Sequence, residues 1–143
     1  VQTFYAHYPG KDDLLMALPD QAEVAGLLAS VPADLPLGER MRTVVRQFLQ
    51  GLKGERESDA LARWQLIAGT PGLRYRAAEY ERVTAQMFLD ALGDEARQDP
   101  AATVVVTAHL SAYTQGLLRW AESRGELSLE EAVVEAMDAL RGL

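Results

Sequence analysis

Apolar residues recur three and four positions apart along most of this chain, and almost nowhere at every second position. That period belongs to helices with one buried face rather than to half-buried strands. The clearest stripe is Met41, Val44, Val45, Phe48, Leu49 and Leu52, which predicts a helix from Leu37 to about Lys53. A second stripe, Val133, Ala136, Met137 and Leu140, predicts a last helix ending at about Arg141. A third joins Val106, Tyr113 and Trp120, and a fourth places Tyr80 and Thr84 on the face of Leu73, Ala77 and Met87. β-Branched residues gather only at 103–107, without the flanking turn pairs of a strand. The expected fold class is therefore all-α.

Helix boundaries come from prolines, glycines and caps. Pro9-Gly10 ends a first helical stretch at about Tyr8. A second helix is expected from Lys11 to about Ser30, kinked or broken at Pro19, which lacks an N–H and crowds the preceding turn. Val31 to Pro36 reads as a loop. Ser58 or Asp59 can cap a helix that ends near Ala68. Thr70-Pro71 and Asp99-Pro100 each set a capping side chain before a proline at the first helical position. They open helices expected to run to Leu92, closed by Gly93, and to about Arg124, followed by Gly125. Ser128 and Glu131 stand at the spacing of a capping box, in which each side chain satisfies a backbone N–H of the other.

Composition narrows the class. The 143 residues suffice for one domain with a real core, and 48% hydrophobic with 24% charged residues is ordinary for a globular protein. No run of about 18 apolar residues is present, so no transmembrane helix and no membrane partner are expected. Val1 to Leu18 lacks the basic start and apolar run of a secretory signal. The absence of cysteine excludes disulfides and thiolate chemistry and fits a cytoplasmic setting. A net charge of −7 opposes a nucleic-acid-wrapping role for this stretch taken alone, since phosphate neutralisation needs Lys and Arg.

The densest chemistry lies in the first fifteen residues, VQTFYAHYPGKDDLL. Thr3, Phe4, Tyr5, His7, Tyr8, Lys11, Leu14 and Leu15 fill a pattern that resembles the end of the recognition helix of TetR/AcrR-family transcriptional regulators. Beginning as it does inside that motif, the chain is expected to lack the earlier part of a helix-turn-helix. The resemblance implies a TetR-like regulatory helical bundle preceded by the remnant of a helix-turn-helix, with residues 1–18 closing the DNA-binding domain and 19–143 forming a ligand-binding and dimerisation domain. Gln2 and Thr3 would then read base edges or nearby phosphates, while Tyr5, His7 and Lys11 would hold the backbone of double-stranded operator DNA. The segment from Arg63 to Arg76, with Leu66, Ile67, Pro71 and Leu73 between them, also looks like a junction common in actinobacterial members, as does Arg119-Trp120. The implied function is a homodimeric, ligand-responsive repressor released from its operator by a small hydrophobic effector. Ligand would shift the helix from Lys11 to Ser30, with Pro19 as the place of movement. A helical small-molecule carrier or enzyme without DNA binding is the alternative.

Residues able to serve an effector are spread over several helices. Phe48, Trp64 and Met87 offer large or pliable apolar surface, and Tyr80, Thr84, His109 and Tyr113 add polar groups. Plain core packing accounts for the same residue types, and His109 fits a hydrogen-bonded core histidine equally well. Arg63, Arg74 and Arg76 are either an anion site at a pocket mouth or solvated cations paired with Glu79, Glu81 or Asp59. Val104, Ala108 and Leu118 with Val133, Ala136, Met137 and Leu140 form the expected two-fold dimer interface, or else pack within one subunit. No metal or cofactor is expected: His7 and His109 are the two histidines, and no carboxylate lies within a turn of His109. No nucleophile stands beside a base, so an enzyme is not expected; Glu79-Glu81 and Glu130-Glu131 read as solvated charge and capping.

Overall fold

The computed structural model describes residues 16, 18–54 and 57–141. Among them are seven helices and no strand: α1 (Gln21–Ala29), α2 (Leu37–Gly54), α3 (Glu57–Gly69), α4 (Pro71–Leu92), α5 (Asp94–Gln98), α6 (Pro100–Glu122) and α7 (Leu129–Arg141). The chain is all-α, and the apolar spacing explains why. Val24, Leu28, Met41, Val44, Phe88, Leu89, Val106 and Leu110 bury together where α1, α2, α4 and α6 meet. Val45, Leu49, Leu117, Trp120, Leu129, Val133 and Met137 form a second cluster among α2, α6 and α7. Met16, Ile67, Leu73, Ala77 and Leu118 close a third. α6 enters all three clusters and packs against α2, α3, α4, α5 and α7, which makes it the central rod of the bundle.

The cap chemistry operates largely as the residue types require. The Asp99 carboxylate accepts from the Ala101 N–H at 2.9 Å, and Pro100 takes the first helical position. Glu131 N–H donates to Ser128 Oγ at 3.1 Å, with Glu131 Oε2 3.5 Å from the Ser128 nitrogen. Thr70 precedes Pro71 as the cap residue, but its hydroxyl makes no capping bond. The turn from α6 to α7 uses Arg124 and Gly125 at φ of 55° and 87°, the left-handed region where glycine carries no steric penalty.

Two boundaries and one short helix differ from the sequence-based expectation, and a third boundary is decided between a kink and a break. Leu18, Pro19 and Asp20 are not helical, and α1 starts at Gln21. Asp20 has extended backbone, and its carboxylate takes the Glu23 N–H at 2.7 Å. Pro19 therefore stands ahead of a capped helix, where its missing N–H costs least, which agrees with a break at this proline rather than a kink through it. Glu57 already lies in α3, so Ser58 and Asp59 sit inside its first turn rather than capping it. α6 stops at Glu122, where Ser123 turns back and donates from its hydroxyl to the Trp120 carbonyl at 2.9 Å. The short α5 was not signalled by apolar period, because none of its residues is buried. Its acidic start and the Arg97–Asp94 ion pair suit a helix held by its own dipole and surface charge.

Ion pairs fix the direction of α2 against α7. Lys53, at the end of α2, meets Glu130 at the start of α7 at 2.9 Å. At the opposite ends, Arg42 meets Asp138 at 2.8 Å and Arg141 meets Glu39 at 3.5 Å. The two helices therefore run antiparallel. No described helix is long and apolar enough to cross a membrane.

Candidate functional site

Three helices turn matching faces toward one space. α2 contributes Phe48, Gly51 and Leu52; α4 contributes Ala77, Tyr80, Glu81 and Thr84; α6 contributes Leu110, Tyr113, Thr114 and Leu117. Each set is spaced by three and four, as one face of a helix demands. Arg63 and Trp64 of α3 add a further wall, and Met16, Leu18, Pro19 and Glu23 border another side. The result is a cavity of about 500 Å³, within the range of about 300–1,000 Å³ typical of small-molecule sites.

Its walls are aromatic with a few polar groups. Phe48 and Tyr113 lie with ring centroids 5.6 Å apart and planes tilted by 34°, and Phe48 meets Phe88 edge-on at 6.1 Å. Such contacts hold the rings in fixed orientations. The Thr84 hydroxyl donates to the Tyr80 carbonyl at 2.7 Å, and the Thr114 hydroxyl lies 3.2 Å from the Leu110 carbonyl. The Thr84 bond spends its proton on the helix and leaves oxygen lone pairs available, whereas Thr114 has one proton to share between the Leu110 carbonyl and Glu81. Arg76 sits over the Tyr80 ring, 5.3 Å from its centroid. Glu81 is half-buried, and that burial pushes its carboxyl above the ordinary range. A hydrogen bond with Thr114 and the charge of Arg82 work in the opposite direction.

Of the residues proposed for a ligand, Phe48, Trp64, Tyr80, Thr84 and Tyr113 meet at this cavity. Met87 and His109 do not line it. Met87 lies beyond the cavity, against the cluster that holds Phe88, and its carbonyl accepts from Gln21 Nε2 at 3.0 Å. His109 points to α2: a Cβ built on Gly38 would lie 3.7 Å from His109 Cε1. Its Nδ1 is 2.7 Å from the Val105 carbonyl oxygen, so the ring is a hydrogen-bonded core histidine.

The arginine trio divides. Arg63 lines the cavity, Arg74 pairs with Glu122 at 2.9 Å, and Arg76 pairs with Glu79 at 2.7 Å. The three form no common anion site. Glu81, read as solvated charge, instead faces the cavity. The spacing of Ala77, Tyr80, Glu81 and Thr84 carried that information, but following the apolar stripe to Met87 passed over the carboxylate. Thr114 was missed for the same reason on α6.

Leu118, Val133 and Met137, expected at a dimer interface, are buried within this single chain. Leu118 packs in the cluster of Met16 and Ile67, and Val133 packs over Gly116. Their apolar surface is thus already withdrawn from water and has little left to give a second copy. Ala136 and Leu140 are half-buried against the same cluster as Met137. Val104 is 65% exposed and Ala108 is half-buried. Gln2, Thr3, Tyr5, His7 and Lys11 lie outside the described residues. Compared with known proteins, the chain matches no family model, no curated protein and no solved structure.

Proposed function

We propose that this chain is the sensor part of a ligand-responsive, DNA-binding transcriptional regulator of the TetR type, a repressor whose helical bundle takes a small, largely apolar effector. The observation that carries the proposal is the composition of the cavity's fourth side. Met16, Leu18, Pro19 and Glu23, which line it, follow directly on the segment that resembles the end of a recognition helix. An occupant of the cavity would touch the connection to the DNA-reading element without an intermediary.

That contact gives the coupling a physical route. Leu18, Pro19 and Asp20, directly ahead of α1, are not helical, and Asp20 caps α1. A ligand that packs better with one placement of Leu18 and Pro19 biases that placement by its difference in affinity for the two arrangements, and by no more. In a homodimer, displacement of two recognition helices from their spacing of about 34 Å lowers operator affinity.

The test is selection from random duplex DNA with the protein as its gene encodes it, followed by native mass spectrometry to identify any co-purified small molecule. Enrichment of a palindromic sequence, released when that molecule is added back, is the expected outcome. Recovery of DNA without sequence enrichment, or an enriched duplex that no bound molecule releases, overturns the proposal.

A further inference from the structure

The charge balance of the cavity wall goes beyond an apolar effector. Among the described residues of the lining, two carboxylates, Glu23 and Glu81, stand against one guanidinium, Arg63, an excess of one negative charge. Arg63 is already engaged by a partner of its own. Arg82 follows Glu81 on α4 and is exposed, and consecutive helical residues point about 100° apart. Its charge therefore acts on Glu81 from the solvent side and leaves the cavity side open.

Within the cavity, Glu81 has the Thr114 hydroxyl as a partner, one bond for a group that can accept about four. Around it stand Phe48, Trp64, Tyr80 and Tyr113, rings whose faces carry negative electrostatic potential. One face of Tyr80 already holds a cation, the Arg76 guanidinium. An anion entering here meets two carboxylates and the negative faces of the rings, against one guanidinium that already has a partner. A neutral apolar molecule displaces water from Glu81 and offers nothing in return, which raises the cost of a charge already disfavoured by burial. A cation alone is attracted by both the carboxylate and the rings.

We infer that the occupant of this cavity is an amphipathic organic monocation, with its positive centre against Glu81 and its apolar body between Phe48, Trp64, Tyr80 and Tyr113. This rests on the cavity being the ligand site of the proposed regulator, though not on DNA binding.

The experiment is calorimetric titration of the full chain with two ions of nearly the same shape and opposite charge, tetraphenylphosphonium and tetraphenylborate. Phosphonium is expected to bind at least tenfold more tightly. Glu81→Gln, which keeps the shape of the side chain, is expected to remove that preference while leaving borate binding no weaker. A thermal melt checks that the variant is folded. In the unaltered protein, phosphonium affinity is expected to fall as pH is lowered through the protonation of Glu81, independently of any variant. Equal binding of the two ions, or a preference that survives Glu81→Gln, overturns charge selection and leaves a cavity for neutral ligands. Preference for borate overturns it in favour of Arg63. Binding of neither ion removes the cavity as a ligand site, and the sensor reading falls with it.

Discussion

Two faces of α6 differ in the size of their residues and do opposite things. One face, with Ala112, Gly116 and Trp120, is closed against its neighbours: a Cβ added to Gly116 would lie 2.8 Å from Val133 Cα and 3.2 Å from the Ala132 carbonyl oxygen. The other, with Leu110, Tyr113, Thr114 and Leu117, borders about 500 Å³ of space. Backbone approach explains the difference. Glycine and alanine let α7 come close enough to exclude everything else. The large rings of Phe48, Trp64 and Tyr113 come from three separate helices and hold those backbones further apart. The bundle therefore has its tightest seam at Gly116 and keeps a ligand-sized space beside the rings of Phe48, Trp64 and Tyr113.

The largest expected effect sets glycine against glycine across that contrast. Gly116→Ala drives a methyl into backbone that cannot rotate away, and overpacking of this kind costs about 1–3 kcal/mol. Gly51, on the cavity wall, has nothing within 4 Å of an added Cβ. Gly51→Ala is expected to stabilise by about 0.5–1 kcal/mol, because alanine loses less freedom in a helix. Urea denaturation of the two variants measures both signs. If both variants stabilise, the seam between α6 and α7 is looser than described. If both destabilise, the open face is not open.

The next effect is a pH dependence confined to the cavity side. Glu81 is held above its ordinary value of 4.5, mainly by burial, so between 4.5 and the raised value the folded chain binds more protons than the unfolded one. Its contribution to stability is best at acid pH and declines as pH rises through that window. Glu81→Gln carries no such proton. Relative to the unaltered protein it is therefore expected to gain stability from acid toward neutral pH and then hold that gain. Chemical denaturation of both proteins at several pH values reads the difference, and a flat difference would remove the burial cost assigned to Glu81.

What was legible in the chain follows the same division. The helices announced themselves wherever a boundary has one chemical cause, as at Asp99-Pro100 or Ser128 with Glu131. The cavity was half legible, because Phe48, Tyr80 and Tyr113 are conspicuous at helical spacing, whereas Glu81 and Thr114 look like any solvated helix positions until α4 and α6 are placed face to face. Pro19 read equally as a kink or a break, and only the geometry of the Asp20 cap shows which. His109 could be either pocket wall or core until Gly38 was seen beneath it. The stripe of Val133 and Met137 shows that burial is needed, but a period cannot say whether the cover is the same chain or another.

The smallest effect lies at the far end of the closed face, where Lys53 and Glu130 tie α2 to the start of α7. The Glu130 carboxyl is held below its ordinary 4.5, first by its hydrogen bond from Lys53 and then by the charge of that lysine. The sign is opposite to that of Glu81. This pair contributes above the unfolded value of 4.5, and its contribution is lost as pH falls through the lower folded value. Both side chains are well exposed, so water and salt screen the attraction. Glu130→Gln is expected to produce a small loss at neutral pH that disappears in acid and shrinks with added salt. A loss as large in molar salt as at low ionic strength would mean that Glu130 acts through the start of α7 rather than through Lys53. The antiparallel register of α2 and α7 would then rest on Arg42, whose buried guanidinium meets Asp138 at 2.8 Å.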